Sequence, residues 1–317
     1  MKFAHIADTH IRNLKYHTEY KEVFSQLYKE IKKQEVDYII HCGDIAHTKT
    51  QISPEFVDLC SDFFRNLAEI APTYIILGNH DGNLRNFSRQ DALSPIVEAL
   101  DIPNLHLAKN SSQIALESPF SLNVLSIFDK DNWNLDLDEE KINIALYHGA
   151  VKGAKTDVGY TLEHGDVDLE TLKRFDYAFL GDIHKTNQRL DSRGKIRYAG
   201  STVQQNHGES DDKGFLIWEI LGKKTYSVEH VSLKNPKPFK TINLTAKGRI
   251  PRNTKVPKGC RLRLVANTNV SLDVLRKSMS AAKTRFRPES LTFLNRAAGE
   301  VRQEEMDDSF HGNLRDI

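Results

Sequence analysis

Five short polar clusters, each directly after an apolar run, constrain this chain more than any other feature. The runs are Phe3–Ala7, Tyr38–Cys42, Tyr74–Leu77, Ile142–Tyr147 and Tyr177–Leu180. The clusters are Asp8-Thr9-His10, Gly43-Asp44, Gly78-Asn79-His80-Asp81, His148-Gly149 and Gly181-Asp182-Ile183-His184. Short apolar runs bounded in this way read as buried β-strands. In open α/β sheets, sites collect in the crevice beyond the carboxyl ends of the strands. Asp, Asn and His at five such ends can meet in one place, and that donor set suits a pair of hard cations acting on a phosphoester.

Between the first three runs lie stretches with helical periodicity. His17–Lys33 repeats apolar residues at helical spacing, Ser53–Leu67 opens with a Ser-Pro cap, and Ser88–Leu100 is a third helix candidate. From Phe120 onward the elements are mostly short strands, with one short helix at Leu169–Phe175. Two layers of sheet accommodate them better than one. The expected class is α/β, a two-layer β-sandwich flanked by helices, spanning residues 1–233. The Pro-rich Lys234-Asn235-Pro236-Lys237-Pro238 ends it. A small α/β module is expected at 239–298, and a weakly patterned acidic tail at 299–317.

The net charge of +1 averages two opposite parts. Residues 231–317 hold 18 Lys and Arg against 8 Asp and Glu, and residues 1–230 hold 26 against 35. Lys234–Arg287 contains 15 basic residues and one acid, Asp273, an asymmetry that points to a polyanion such as nucleic acid. Phe239 and Phe286 are the only aromatics in that segment, so contacts to duplex phosphates are a simpler expectation than base stacking. Lys240, Lys247, Arg249, Arg252, Arg261 and Arg263 are the candidates, with Arg85 and Arg89 beside the third cluster. Trp133 and Trp218 read as packing residues. Cys42, Cys60 and Cys260 are too few and too scattered for a disulfide framework or a zinc knuckle. No apolar stretch approaches the ~20 residues that span a bilayer. The N-terminus meets Asp8 too early for a signal-peptide core, so a reducing cytoplasm is expected.

Taken singly, each cluster has an ordinary explanation. Asp-x-His and Gly-Asp after a strand are usually turn chemistry, Gly78–Asp81 can be a capped four-residue turn, and a lone histidine is usually a satisfied core residue. Five such ends in order, each carrying a ligand type, are not explained that way. The ordered set resembles the signature of the calcineurin-like metallophosphoesterase superfamily: Asp-x-His, Gly-Asp, Gly-Asn-His-Asp/Glu, His and Gly-His-x-His. With Gly43-Asp44-Ile45-Ala46-His47, the Gly78–Asp81 form and the basic second module, it looks like the SbcD-type nuclease subunits of double-strand-break repair, particularly the recombination endonuclease subunits of tailed phages.

The resemblance implies that Asp8, His10, Asp44 and His184 hold one metal, and that Asp44, Asn79, His148 and Asp182 hold the other. It gives His80 the role of stabilising the transition state or protonating the leaving oxygen, Asp81 that of orienting His80, and His47 that of positioning the phosphodiester. Two Mn²⁺, with Mg²⁺ as the alternative, are the implied cofactors. The implied activities are 3′-to-5′ exonuclease on duplex ends and endonuclease on single-stranded or hairpin DNA. The implied partners are an SbcC-type coiled-coil ATPase and a second copy, paired through the helices around 53–67 and 88–100, where the first carries more apolar residues than one buried face needs. A phage-encoded chain would work in the host cytoplasm. The family's partner-binding helices usually follow the capping domain, and little helical pattern remains before Ile317, so a truncated chain or a short docking segment is expected.

Here the last motif reads Gly181-Asp182-Ile183-His184, with a carboxylate where relatives have imidazole. A carboxylate can still ligate, and three aspartates facing two cations favour hard Mn²⁺ or Mg²⁺. Two competing readings follow: a phosphatase or cyclic-nucleotide phosphodiesterase on the same dimetal site, and a DNA-binding scaffold with one metal position lost at Asp182. Protein phosphatases of the superfamily carry Arg-Gly shortly after Gly-Asp, where this chain has His47-Thr48-Lys49-Thr50.

Overall fold

The computed structural model describes residues 1–86 and 88–296. The expected tail at 299–317 and the last two residues of the expected 239–298 module lie outside them. The described residues form two compact units: residues 1–205 with 212–235, and residues 206–211 with 236–296. No described helix is long and apolar enough to cross a membrane.

In chain order the first unit contains β1 (Lys2–Ile6), α1 (His17–Gln34), β2 (Tyr38–Cys42), α2 (Pro54–Ile70), β3 (Thr73–Ile76), α3 (Ser94–Leu100), β4 (Leu105–Ala108), β5 (Ser112–Ala115), β6 (Phe120–Leu125), β7 (Ile142–His148), α4 (Leu169–Leu172), β8 (Tyr177–Gly181), β9 (Gln188–Arg189), β10 (Ile196–Tyr198), β11 (Lys213–Ile220) and β12 (Tyr226–Leu233). One sheet runs β12-β11-β1-β2-β3-β4 and the other β5-β6-β7-β8-β10-β9. β1 to β4 are mutually parallel, as are β6, β7, β8 and β10, so the ligand-bearing ends within each sheet share a direction.

Alternation along the strands builds the sandwich. Phe3, Ile40 and Ile76 of the first sheet pack against Leu122, Ile144 and Phe179 of the second in a continuous buried core. The opposite residues, Ala4, Ile6, Ile39 and Ile75, pack under α1 and α2. The two-layer α/β architecture flanked by helices is therefore as the sequence implies.

Two sequence expectations are corrected here. The helix read at Ser88–Leu100 begins only at Ser94. Asp91 Oδ1 accepts from the backbone N–H of Leu93 (2.9 Å) and Ser94 (2.7 Å), stopping the helix at an Asx-type cap that apolar periodicity cannot reveal. The apolar surplus of α2 is used within the unit: Phe56, Leu59, Cys60, Phe63, Phe64 and Leu67 are buried, and of the seven only Val57 is exposed, at 37%. The surplus thus gives no ground for pairing between copies.

His5 sits in the inter-sheet core, fully buried and stacked on Phe179 at 4.8 Å. One ring nitrogen faces the Leu180 carbonyl (3.1 Å) and the other accepts from the Trp218 indole N–H (3.4 Å), so only the neutral ring satisfies both. Burial, opposed by the Leu180 carbonyl, lowers its pKa from 6.5 to about 3. A group neutral in the fold but protonated in the unfolded chain loses stability as pH falls below 6.5, by ~1.4 kcal/mol per pH unit until the folded pKa is reached. Urea unfolding between pH 7 and pH 4 is therefore expected to show a steeper acid loss in the wild type than in His5→Gln. Parallel slopes would remove the effect.

The second unit contains β13 (Phe239–Asn243), β14 (Arg261–Ala266), α5 (Leu272–Phe286) and β15 (Ser290–Asn295), with the three strands parallel in the order β13-β14-β15. α5 closes one face through Ala282 and Phe286. Residues 206–211 belong to this unit: the His207 ring meets Phe239 edge-on at 5.0 Å, and Asp211 pairs with Lys240.

Candidate metal centre

Each ligand-bearing strand ends in a sharp turn. Asp8, His10, Asp44 and Asp182 all have positive φ (51°, 49°, 55° and 99°), a region that Asp and His tolerate better than most residues. Gly43, at φ 84°, precedes Asp44, and a Cβ there would come within 2.5 Å of His148 Nδ1. A Cβ on Gly78 would lie 2.1 Å from Asp44 Oδ1. These two glycines let the strand ends crowd together.

The donors converge from both sheets. Three overlapping sets each place one donor atom per residue within 4.8 Å of the others: Asp8, His10 and His184; Asp8, Asp44 and His148; and His10, Asp44 and His80. Asp44 is central. Its Oδ2 lies 3.3 Å from His148 Nε2 and 3.6 Å from His10 Nε2, between the two groups, while its Oδ1 accepts from the His80 backbone N–H (2.8 Å). His10 Nε2 and His184 Nε2 are 3.0 Å apart. Asn79 Oδ1 is 3.1 Å and Asp182 Oδ1 3.9 Å from His148 Nε2. Asp182 is thus beside the second group, tethered by its backbone N–H to both Asp8 oxygens (2.9 and 3.1 Å).

The proton inventory shows that the residues fit cations. His148 Nδ1 donates to the Cys42 carbonyl (2.7 Å), which leaves Nε2 of the neutral ring a bare lone pair. In the neutral ring that lone pair faces the Asn79 carbonyl oxygen and the Asp44 carboxylate, three acceptors in one space that need a positive charge among them, either a proton on Nε2 or a metal cation. A cation resolves the conflict, and a carbonyl accepting from Nδ1 is a usual way for a ligating imidazole to be held. The electrostatics agree. Burial pushes Asp8 up to about 7, and although burial would strip His148 of a proton, Asp44, Asp8 and Asp182 hold its pKa well above the ordinary value. The pocket draws in positive charge.

Asp81 corrects an expectation. It does not orient His80: its Oδ2 accepts from the N–H groups of Asp44 (2.8 Å) and Gly78 (2.9 Å), and its Oδ1 from that of Ala46 (2.8 Å). Completely buried, it knits the second and third strand-end loops together. His80 is instead held by its Nδ1, which donates to the His47 carbonyl (2.7 Å). Sequence reasoning passed over Arg12, whose NH1 donates to His47 Nε2 (3.0 Å), two residues beyond His10. It also passed over Lys213, whose buried ammonium donates to Asp157 Oδ2 (2.7 Å) and the His184 carbonyl (2.9 Å).

Of the expected DNA contacts, Arg85, Arg89, Lys247, Arg249 and Arg252 are exposed, and Lys240 and Arg263 are half-buried. Arg261 is not available to a phosphate. It is 5% exposed, lies over the Phe239 ring at 5.3 Å, and binds the Lys237 carbonyl (2.8 Å) and Glu289 (3.3 Å). A cation-rich sequence does not distinguish it from its exposed neighbours.

The profile of the calcineurin-like phosphoesterases matches residues 1–186, the span that supplies every donor of the centre. The chain belongs to the calcineurin-like phosphoesterase family. Its members are metal-dependent phosphoester hydrolases, and the convergent donors are those such a hydrolase needs. An uncharacterized protein of Acanthamoeba polyphaga mimivirus is 40% identical over 281 residues, 84% of this chain but 20% of the viral protein. The chain thus spans about a fifth of that relative's length. The SbcD component of the nuclease SbcCD of Staphylococcus epidermidis is 24% identical over 272 residues, covering 76% of this chain and 72% of that protein. The DNA double-strand break repair protein Mre11 of Archaeoglobus fulgidus is 23% identical over 269 residues, covering 75% and 58%.

Proposed function

We propose that this phosphoesterase is a manganese-dependent DNA nuclease and the nuclease subunit of a complex with an SbcC-type ATPase. The observation that carries the dimetal reading is the Asp44 carboxylate, whose Oδ2 stands between the His10 and His148 nitrogens. Asp8, His10, Asp44 and His184 would hold one cation, and Asp44, Asn79, His148 and Asp182 the other. When bound, two such cations supply the charge that clamps a phosphodiester and the acidity that turns water into a nucleophile. The oxygen-rich donor set favours Mn²⁺ or Mg²⁺ over softer ions.

The chain's own residues do the rest. His80, with Nδ1–H fixed on the His47 carbonyl, presents Nε2 as the atom that gives a proton to the departing oxygen. Arg12 donates to His47 Nε2 and so fixes its tautomer and ring orientation beside His80, whose ring centroid is 6.0 Å away. DNA as substrate is supported by the nuclease relatives and by the exposed Lys247, Arg249 and Arg252 of the second unit, which suit backbone phosphates.

With Mn²⁺ the purified protein is expected to cleave a hairpin oligonucleotide and to stop when the metal is chelated. Hydrolysis of a small phosphomonoester with the oligonucleotide left intact would overturn the nuclease reading in favour of a phosphatase.

A further inference from the structure

Eight large apolar side chains are well exposed among the described residues, and five of them lie on loops that follow the ligand-bearing strands. Leu14 follows β1, Ile52 follows β2, Leu84 follows β3, and Val158 and Tyr160 follow β7. Leu14 and Ile52 flank a bond between two of these loops, Ser53 Oγ donating to the Asn13 carbonyl (2.8 Å). Phosphate binding has no use for exposed apolar groups, but the bases carried by those phosphates do.

Val158 (73% exposed) and Tyr160 (61%) are the most informative pair, because their loop is built rather than loose. Residues 153–162 form a hairpin. Leu162 N–H donates to the Ala154 carbonyl (2.8 Å), Gly153 N–H to the Leu162 carbonyl (2.9 Å) and Thr156 N–H to the Tyr160 carbonyl (2.9 Å), with Gly159 at φ 88° turning the tip. Lys155 and Gln188 exchange two bonds, from Lys155 N–H to Gln188 Oε1 (2.6 Å) and from Gln188 Nε2 to the Lys155 carbonyl (2.8 Å). Asp157, between the exposed residues and the hairpin stem, pairs with the buried Lys213 ammonium (2.7 Å), which also binds the carbonyl of the metal-site residue His184 (2.9 Å). Two hydrogen bonds therefore join the tip to the centre. A rigid hairpin that exposes an aliphatic and an aromatic side chain gains nothing from them in the free protein.

We propose that the tip Val158-Gly159-Tyr160 is a base-contacting subsite. The Tyr160 ring stacks on an unpaired base next to the scissile phosphodiester, with Val158 against the same nucleotide. The Asp157–Lys213 link fixes the distance from that base to His184. Stacking of this kind tolerates any base and needs no groove readout, and it complements the phosphate contacts of the second unit.

This inference rests on the nuclease reading, and one set of assays separates the two. Steady-state kinetics in Mn²⁺ compare a single-stranded oligonucleotide with bis(p-nitrophenyl) phosphate, which carries no base, for wild type, Tyr160→Ala and Tyr160→Trp. Tyr160→Ala is expected to raise KM for the oligonucleotide about tenfold with kcat retained, KM for the small ester is not expected to follow, and Tyr160→Trp is expected to restore the oligonucleotide KM. A wild type that hydrolyses only the small ester overturns the nuclease reading. A wild type that cuts the oligonucleotide, with Tyr160→Ala either matching it or impaired equally on both substrates, overturns the subsite alone.

Discussion

Asp44→Asn is expected to abolish hydrolysis, by at least ~10³-fold or ~4 kcal/mol of transition-state stabilisation, and to strip the protein of bound cation while leaving it folded. The substitution preserves shape and retains Oδ1, which accepts from the His80 N–H. It replaces Oδ2 with an amide, which either turns N–H groups toward His10 and His148 or exchanges a full negative charge for a weak dipole. Both cation positions lose a shared carboxylate at once. Calorimetric titration with Mn²⁺ and thermal melts of the metal-free protein check the two halves. A variant that binds two Mn²⁺ as tightly as wild type would refute a shared role for Asp44.

His80→Asn should give the opposite pattern, with cation content retained and kcat down by about 10² to 10⁴. Proton transfer needs Nε2, which asparagine lacks, whereas the His47 carbonyl that holds Nδ1 can still accept from an amide. The geometry sets a strict control. His80 lies within 4.8 Å of donor atoms of His10 and Asp44, close enough to be a ligand itself. Metal counting on the purified variant decides between the roles. Loss of one equivalent makes His80 a ligand, and full occupancy with slow cleavage makes it the proton donor.

The convergence of the donors was legible because its chemistry sits in consecutive residues after strands whose apolar character is unmistakable. The two-layer sandwich was legible from the change in element spacing after Phe120. What stayed hidden depends on contacts between distant residues. Asp81 stands next to His80 in sequence, yet its carboxylate turns back to the N–H groups of Gly78, Asp44 and Ala46, a choice made by the fold of another loop. Arg261 carries the same charge as Arg249, but its place on the central strand β14 buries it over Phe239. Asp91 ends the helical reading before Ser94 through two backbone bonds that periodicity does not weigh.

β1 bears the first two donors at its end and lies between β2 and β11, an antiparallel partner more than 200 residues away that pairs Ala4 with Ile217. As the chain leaves the ribosome, its earliest strand waits for one of the latest before its hydrogen bonds are complete. Asp8 and His10 likewise wait for Asp182 and His184. Half-made copies therefore lack a complete set of donors, and the hydrolase acquires its metal centre only once the core is closed.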